Sequence, residues 1–161
     1  MTKPNLSNLA SIAEIGTAVV VIVSLIFIYQ ELQQNTLSTQ DASYQQFLSN
    51  LTSIDLAEAS DPELARISHS AELNPEELSE AEWIRFTRIA GARIAQMEYA
   101  FLSKSNETIS SLHWQAVKPH IRYLFCLPGY RMYLDDGMDQ IYATPFLKYL
   151  ENDVYPSCKL V

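Results

Sequence analysis

Residues 15–29 read IGTAVVVIVSLIFIY, fifteen positions without a charge. No other stretch constrains the fold as strongly. At 1.5 Å rise per residue a helix of this length spans about 22 Å, short of a hydrocarbon core of about 30 Å. Extending it over residues 9–32 gives about 36 Å, with Glu14 near one end and Gln30 and Glu31 at the other. Those polar groups fit headgroup depth, and Tyr29 falls where interfacial aromatics belong. A cleaved signal peptide needs a small-x-small site after the run, and Tyr29-Gln30-Glu31-Leu32-Gln33 lacks one. A buried core helix would need a polar face, yet residues 18–28 are apolar all round except Ser24. The expectation is an uncleaved single-pass anchor in a lipid bilayer.

Within the run, Ala10, Ala13, Thr17, Val20, Ser24 and Phe27 recur at helical spacing. Small side chains at Ala10, Ala13, Thr17 and Ser24 let a second helix approach closely, so this stripe is the candidate in-membrane packing face. Glu14 beside it is an ionisable group within the span, and the nearby interface offers it water. Lys3 precedes the run and no Lys or Arg follows until Arg66. Positive-inside reasoning therefore favours a cytoplasmic N-terminus, by one residue.

The chain holds only four glycines in 161 residues, at 16, 91, 129 and 137. Phosphate loops, dinucleotide fingerprints and nucleophile elbows need clustered glycines, and tight hairpins need them at turns. None can be built here, so the chain is read as all-α. No Pro or Gly interrupts residues 17–61, which predicts one long helix leaving the membrane. Leu37, Tyr44, Leu48, Leu51 and Ile54 form its apolar stripe. Six glutamines in residues 30–46 occupy the remaining face and read as solvated surface.

Three parts follow: an anchor over residues 1–32, a helical extension over 33–60, and a helical domain over 61–161. Asp61-Pro62 is a cap followed by a first-turn proline, predicting a helix to about Ala71. Ser79-Glu80-Ala81-Glu82 is a capping box, predicting a helix to about Lys104. Its core stripe is Trp83, Phe86, Ala90, Ile94, Met97 and Phe101, with Arg85 and Arg88 opposite and Arg93 at the stripe's edge. Residues 108–117 suit another helix, which Pro119 interrupts or restarts. Leu127-Pro128-Gly129 reads as a turn, Gly137 as a helix stop, and Thr144-Pro145 as a further helix start.

Chemistry-bearing motifs are missing. The net charge of −8 disfavours nucleic acid. An EF-hand loop from Asp135 would need Gly at 140 and Glu at 146, where Gln140 and Phe146 stand. His113 and His120 lie two turns apart without a matching carboxylate. Cys126 and Cys158 match no zinc spacing and read as unpaired, partly buried thiols, although an oxidising compartment would permit a disulfide. No catalytic residue, cofactor or metal ligand is assigned. Aromatics crowd the C-terminal half, and Tyr130, Tyr133, Tyr142 and Tyr149 form the candidate partner surface. Arg122 and Arg131 lie among them.

The run Ala13-Glu14-Ile15-Gly16, then Ser24-Leu25-Ile26-Phe27-Ile28-Tyr29 and Gln33-Gln34-Asn35-Thr36, resembles a bacterial family of single-pass membrane proteins with a domain of unknown function. Asp61-Pro62-Glu63-Leu64-Ala65, Pro128-Gly129-Tyr130 and Pro145-Phe146 extend the resemblance along the chain. It implies an inner-membrane anchor and a helical domain, and carries no catalytic residues. The expected function is association with other membrane subunits or with itself. The alternative is a membrane-anchored sensor whose pocket is lined by Trp83, Trp114 and tyrosines.

Overall fold

A computed structural model describes residues 6–158, so Lys3 lies outside it. The described residues are helical and contain no strand. Six α-helices run in order: α1 (Leu6–Ala59), α2 (Pro62–Leu73), α3 (Glu80–Ser105), α4 (Ser111–Cys126), α5 (Pro128–Asp135) and α6 (Thr144–Tyr149). Short 3₁₀ turns occupy Pro75–Glu77, Met138–Ile141 and Tyr155–Ser157, and a π turn covers Leu150–Val154. The chain divides into two compact units, Met1–Ser38 and Thr39–Val161.

In the first unit the apolar run is helical and every described side chain is exposed. Ile15, Val20, Leu25, Ile26 and Phe27 are each more than half exposed. Thr17 Oγ1 donates to the Ala13 carbonyl at 2.9 Å, and Ser24 Oγ to the Val20 carbonyl at 2.8 Å. Both hydroxyls are thereby satisfied within their own helix, as Ser and Thr are in apolar helices.

The second unit owns the core. α3 is its centre, packing against α2, α4, α5 and α6. The expected stripe does this work: Phe86, Ala90, Ile94 and Met97 are buried, with Trp83 and Phe101 packed at its ends. The C-terminal part of α1 adds buried Phe47, flanked by Tyr44, Leu48 and Leu51. The glutamine-bearing face is not wholly solvated. Gln40 Nε2 donates to the Glu107 carbonyl at 3.0 Å, and Gln46 supports Asn50, whose Nδ2 donates to Gln96 Oε1 at 3.2 Å.

Local chemistry sets most helix ends. Asp61 Oδ1 accepts from the Glu63 and Leu64 amides at 3.0 and 3.1 Å. Ser79 and Glu82 form the complete capping box. Their hydrogen bonds, with Arg66 adding to them, hold the Glu82 carboxyl down at about 2. α3 stops in a Schellman arrangement: the Thr108 amide donates to the Ser103 carbonyl and the Glu107 amide to the Lys104 carbonyl. Glu107 takes the left-handed position there, at φ 59°.

Three expectations are corrected. α4 does not break at Pro119 but runs from Ser111 to Cys126. The proline lies on the exposed face, and Gln115, whose carbonyl loses its donor, is exposed to water. Meanwhile Val117, Ile121, Leu124 and Phe125 stay buried on one side, so packing holds the helix together. Leu127-Pro128-Gly129 is not a free turn. Pro128 opens α5, and Gly129 is buried against the end of α2. Finally, Cys126 and Cys158 are joined in a disulfide, with Cα atoms 5.4 Å apart. The two cysteines lie 32 residues apart in sequence, and packing of the C-terminal segment against α4 brings them together.

Candidate functional site

The tyrosines assigned to a partner surface do not form one. Tyr130, Tyr133 and Tyr142 are buried in the core, 0%, 2% and 8% exposed. Their rings carry more apolar area than any aliphatic side chain, so burying them contributes more than displaying them. Tyr133 and Tyr142 pair through their hydroxyls at 3.3 Å. Burial, with Tyr133 and Glu98 beside it, pushes the Tyr142 hydroxyl well above its ordinary range. Tyr149 is half-buried and stacks on Phe101 at 5.0 Å. Trp114 closes the same aromatic group, while Trp83 lies against Phe86. Arg122 donates to the Ser157 carbonyl at 2.6 Å and Arg131 lies 4.7 Å over the Tyr155 ring. Both arginines are engaged within the chain.

Where the helices of the second unit converge, a charged cluster forms instead. Arg93 projects from α3 with its side chain only 12% exposed. Its Nη2 lies 2.7 Å from Asp55 Oδ1 and 2.8 Å from Glu58 Oε2, both on α1. Its Nη1 donates to the Tyr130 hydroxyl on α5 at 3.2 Å. Glu58 Oε2 is buried and lacks a well-aligned hydrogen bond, so charge attraction to Arg93 holds it. Burial works against the Arg93 charge. Tyr130, Asp55 and Glu58 outweigh it and hold the guanidinium proton more tightly than usual. Burial pushes the Tyr130 hydroxyl up to about 12, with Arg93 opposing. A neutral phenol is therefore the species that meets Arg93 at physiological pH.

A cavity of about 210 Å³ adjoins this cluster. Leu51, Met97, Leu124 and Tyr123 supply apolar walls, and Asp55, Glu58, Glu72, Arg93 and His120 supply polar ones. Three carboxylates against one guanidinium make it acidic. The Arg93 charge is already balanced by Asp55 and Glu58, so the site disfavours anions. Glu72 bears the cost. Burial raises its carboxyl, Glu58 adds to the shift, and Arg93 and His69 oppose it. A folded value above the unfolded one means that folding takes up a proton here. The contribution is most favourable at acid pH and is lost as pH rises through the folded value. Glu72→Gln is accordingly expected to raise the melting temperature at pH 7. The gain should vanish near about pH 3, where both states carry the proton. Melting curves at the two pH values check this; an equal gain at both would refute it.

No protein-family model, curated protein or solved structure matches this chain. The functional reading therefore rests on its own residues. Of the sequence-assigned positions, Ala10, Ala13, Glu14, Thr17 and Ser24 are exposed on α1. His113 and His120 are not brought to one site: His113 stacks on Tyr44 at 4.1 Å, while His120 lines the Arg93 cavity. A second cleft of about 280 Å³ lies among Leu134, Asp135, Asp139, Leu147, Leu150, Glu151 and Tyr155. Neither cavity is lined by Trp83 or Trp114. Among the described residues no group of three His, Cys, Asp or Glu side chains is placed to hold a metal ion. The Arg93 cluster was signalled in sequence only by an arginine at the edge of an apolar stripe. Its partners lie 35 to 38 positions away, beyond the reach of any local pattern.

Proposed function

We propose that the chain is a single-pass membrane protein that acts by association, as an accessory subunit of a membrane complex or as a homo-oligomeric scaffold, and not by catalysis. The carrying observation is the apolar part of α1. This stretch has a mean hydropathy of 2.0 and none of it is buried. A helix that is apolar all round needs an apolar environment, and among the described residues nothing buries it. The small-residue stripe through Ala13, Thr17 and Ser24 supports a helix partner in the bilayer. The resemblance of the N-terminal run supports a bacterial inner membrane.

Two charges in the run test the anchor. Val21→Arg with Leu25→Arg adds about 3 kcal/mol per residue to insertion. The variant is expected to leave the carbonate-resistant membrane fraction, while the wild-type chain stays there uncleaved at 18.3 kDa. A soluble or shortened wild-type chain would overturn the anchor. Intact-complex mass in mild detergent tests association. A strict monomer without co-purifying protein would overturn that part.

The Arg93 cavity favours a second reading, a membrane-anchored module that binds a small ligand. Its volume of about 210 Å³ is below the 300 Å³ or more of drug-sized pockets. Its acidic and apolar walls suit a small organic cation.

A further inference from the structure

We infer that the unit Thr39–Val161 folds on the oxidising side of the membrane, with the residues before the apolar run on the cytoplasmic side, and that a disulfide-bearing oxidoreductase installs the Cys126–Cys158 bond there. The inference rests on the reading of α1 as an anchor and adds its direction.

Two observations of different kinds point the same way. The first is tertiary. Cys126 ends α4 and Cys158 follows the last 3₁₀ turn, and the two are bonded, leaving no free cysteine. Their Cα separation of 5.4 Å is in the ordinary range for a disulfide. Other contacts hold the same segment there: Val154 is buried, and Arg122 of α4 donates to the Ser157 carbonyl at 2.6 Å. The C-terminal segment is thus docked on α4 with its cysteine facing the only other one in the chain. Such bonds persist outside the reducing cytosol and are rare within it. The second observation is the charge pattern. Lys3 precedes the apolar run, and no Lys or Arg occurs in residues 30–65 after it. Basic residues close to a span stay cytoplasmic, and a flank without them is free to cross.

Formation of the bond balances as thiol–disulfide exchange. The thiolate of one cysteine attacks the oxidoreductase disulfide, giving a mixed disulfide and one oxidoreductase thiolate. The thiolate of the other cysteine then attacks the mixed disulfide and releases the second. The chain loses two electrons and two protons, and the oxidoreductase gains them as a dithiol.

The full chain expressed in bacterial cells tests the inference. Cells are quenched in acid and free thiols are blocked with N-ethylmaleimide. Polyethylene-glycol maleimide is then added with or without prior reduction. No gel shift without reduction, and a shift of two adducts after it, is expected. Protease added to spheroplasts is expected to digest the helical unit. Two adducts without reduction, or a protected unit, would overturn the inference. Carbonate fractionation of the same cells keeps the two readings apart. A reduced chain in the membrane pellet sinks only the orientation, and an oxidised chain in the soluble fraction sinks the anchor and the membrane placement that rests on it.

Discussion

Gly129→Ala is expected to destabilise the helical unit by about 3 kcal/mol, at or above the upper end of ordinary overpacking. Gly129 lies in the first turn of α5, directly against the C-terminal end of α2. A β-carbon there would overlap the Ala71 carbonyl oxygen, sit 2.9 Å from the Ala71 carbonyl carbon and 3.2 Å from Phe86 Cζ. The obstacles include backbone, which cannot rotate away, so α2 and α5 must separate. Both helices carry buried core residues, Ile67 and Ala71 on one side and Tyr130 and Tyr133 on the other. The sign is diagnostic. In an unobstructed helix interior the same change stabilises by about 0.5–1 kcal/mol. Gly91→Ala is the comparison: its new β-carbon meets the Tyr133 hydroxyl at 2.8 Å, on a buried ring that must shift against its Tyr142 partner, but it meets no backbone. It should cost clearly less. Urea denaturation of both variants measures the difference, and a Gly129→Ala midpoint at or above wild type would rule the contact out.

The second large effect is at Arg93. Arg93→Met keeps most of the side-chain volume and removes the charge, leaving Glu58 buried without its counter-ion and Tyr130 without its donor. Breaking a buried pair from one side costs about 3–5 kcal/mol. Most of that is the penalty on the stranded carboxylate, so Arg93→Met combined with Glu58→Met should recover much of the loss. Asp55 is 55% exposed, against 18% for Glu58, and water screens it. Asp55→Asn should cost under about 1 kcal/mol. Lysine at position 93 restores the charge but lacks the planar fork that reaches Asp55, Glu58 and Tyr130 together, and should fall between. The measurement is a set of denaturant midpoints. If Asp55→Asn proved as costly as Arg93→Met, or the double variant no better than the single one, the buried pair would not be the origin of the effect.

What could be read in advance divides by range of interaction. The caps at Asp61 and Ser79 were legible because a side chain and the amides it accepts from lie within three residues. The α3 core stripe was legible because helical period alone places Phe86, Ala90, Ile94 and Met97 on one side. Tyrosines were misassigned because composition says nothing about which face of a short helix meets the core. α5 buries Tyr130 and Tyr133 because α2, α4 and α3 pack against it, and the Tyr142 hydroxyl reaches Tyr133 and the Gly91 carbonyl of α3. Pro119 misled for a similar reason. Proline weakens a helix locally, but here the flanking buried residues of α4 keep it continuous.

The sequence by itself determined the all-helical class, the long uninterrupted α1, its uncharged run, and most helix starts. Each depends on hydropathy and hydrogen bonding within about four residues. Only the tertiary structure decided the Cys126–Cys158 bond, the Gly129–Ala71 contact and the Arg93 cluster. Their members lie 32 to 58 positions apart in sequence. Such pairs meet only after the helices have packed, and the energy that brings them together is core burial spread over many residues, which no single stretch of sequence records.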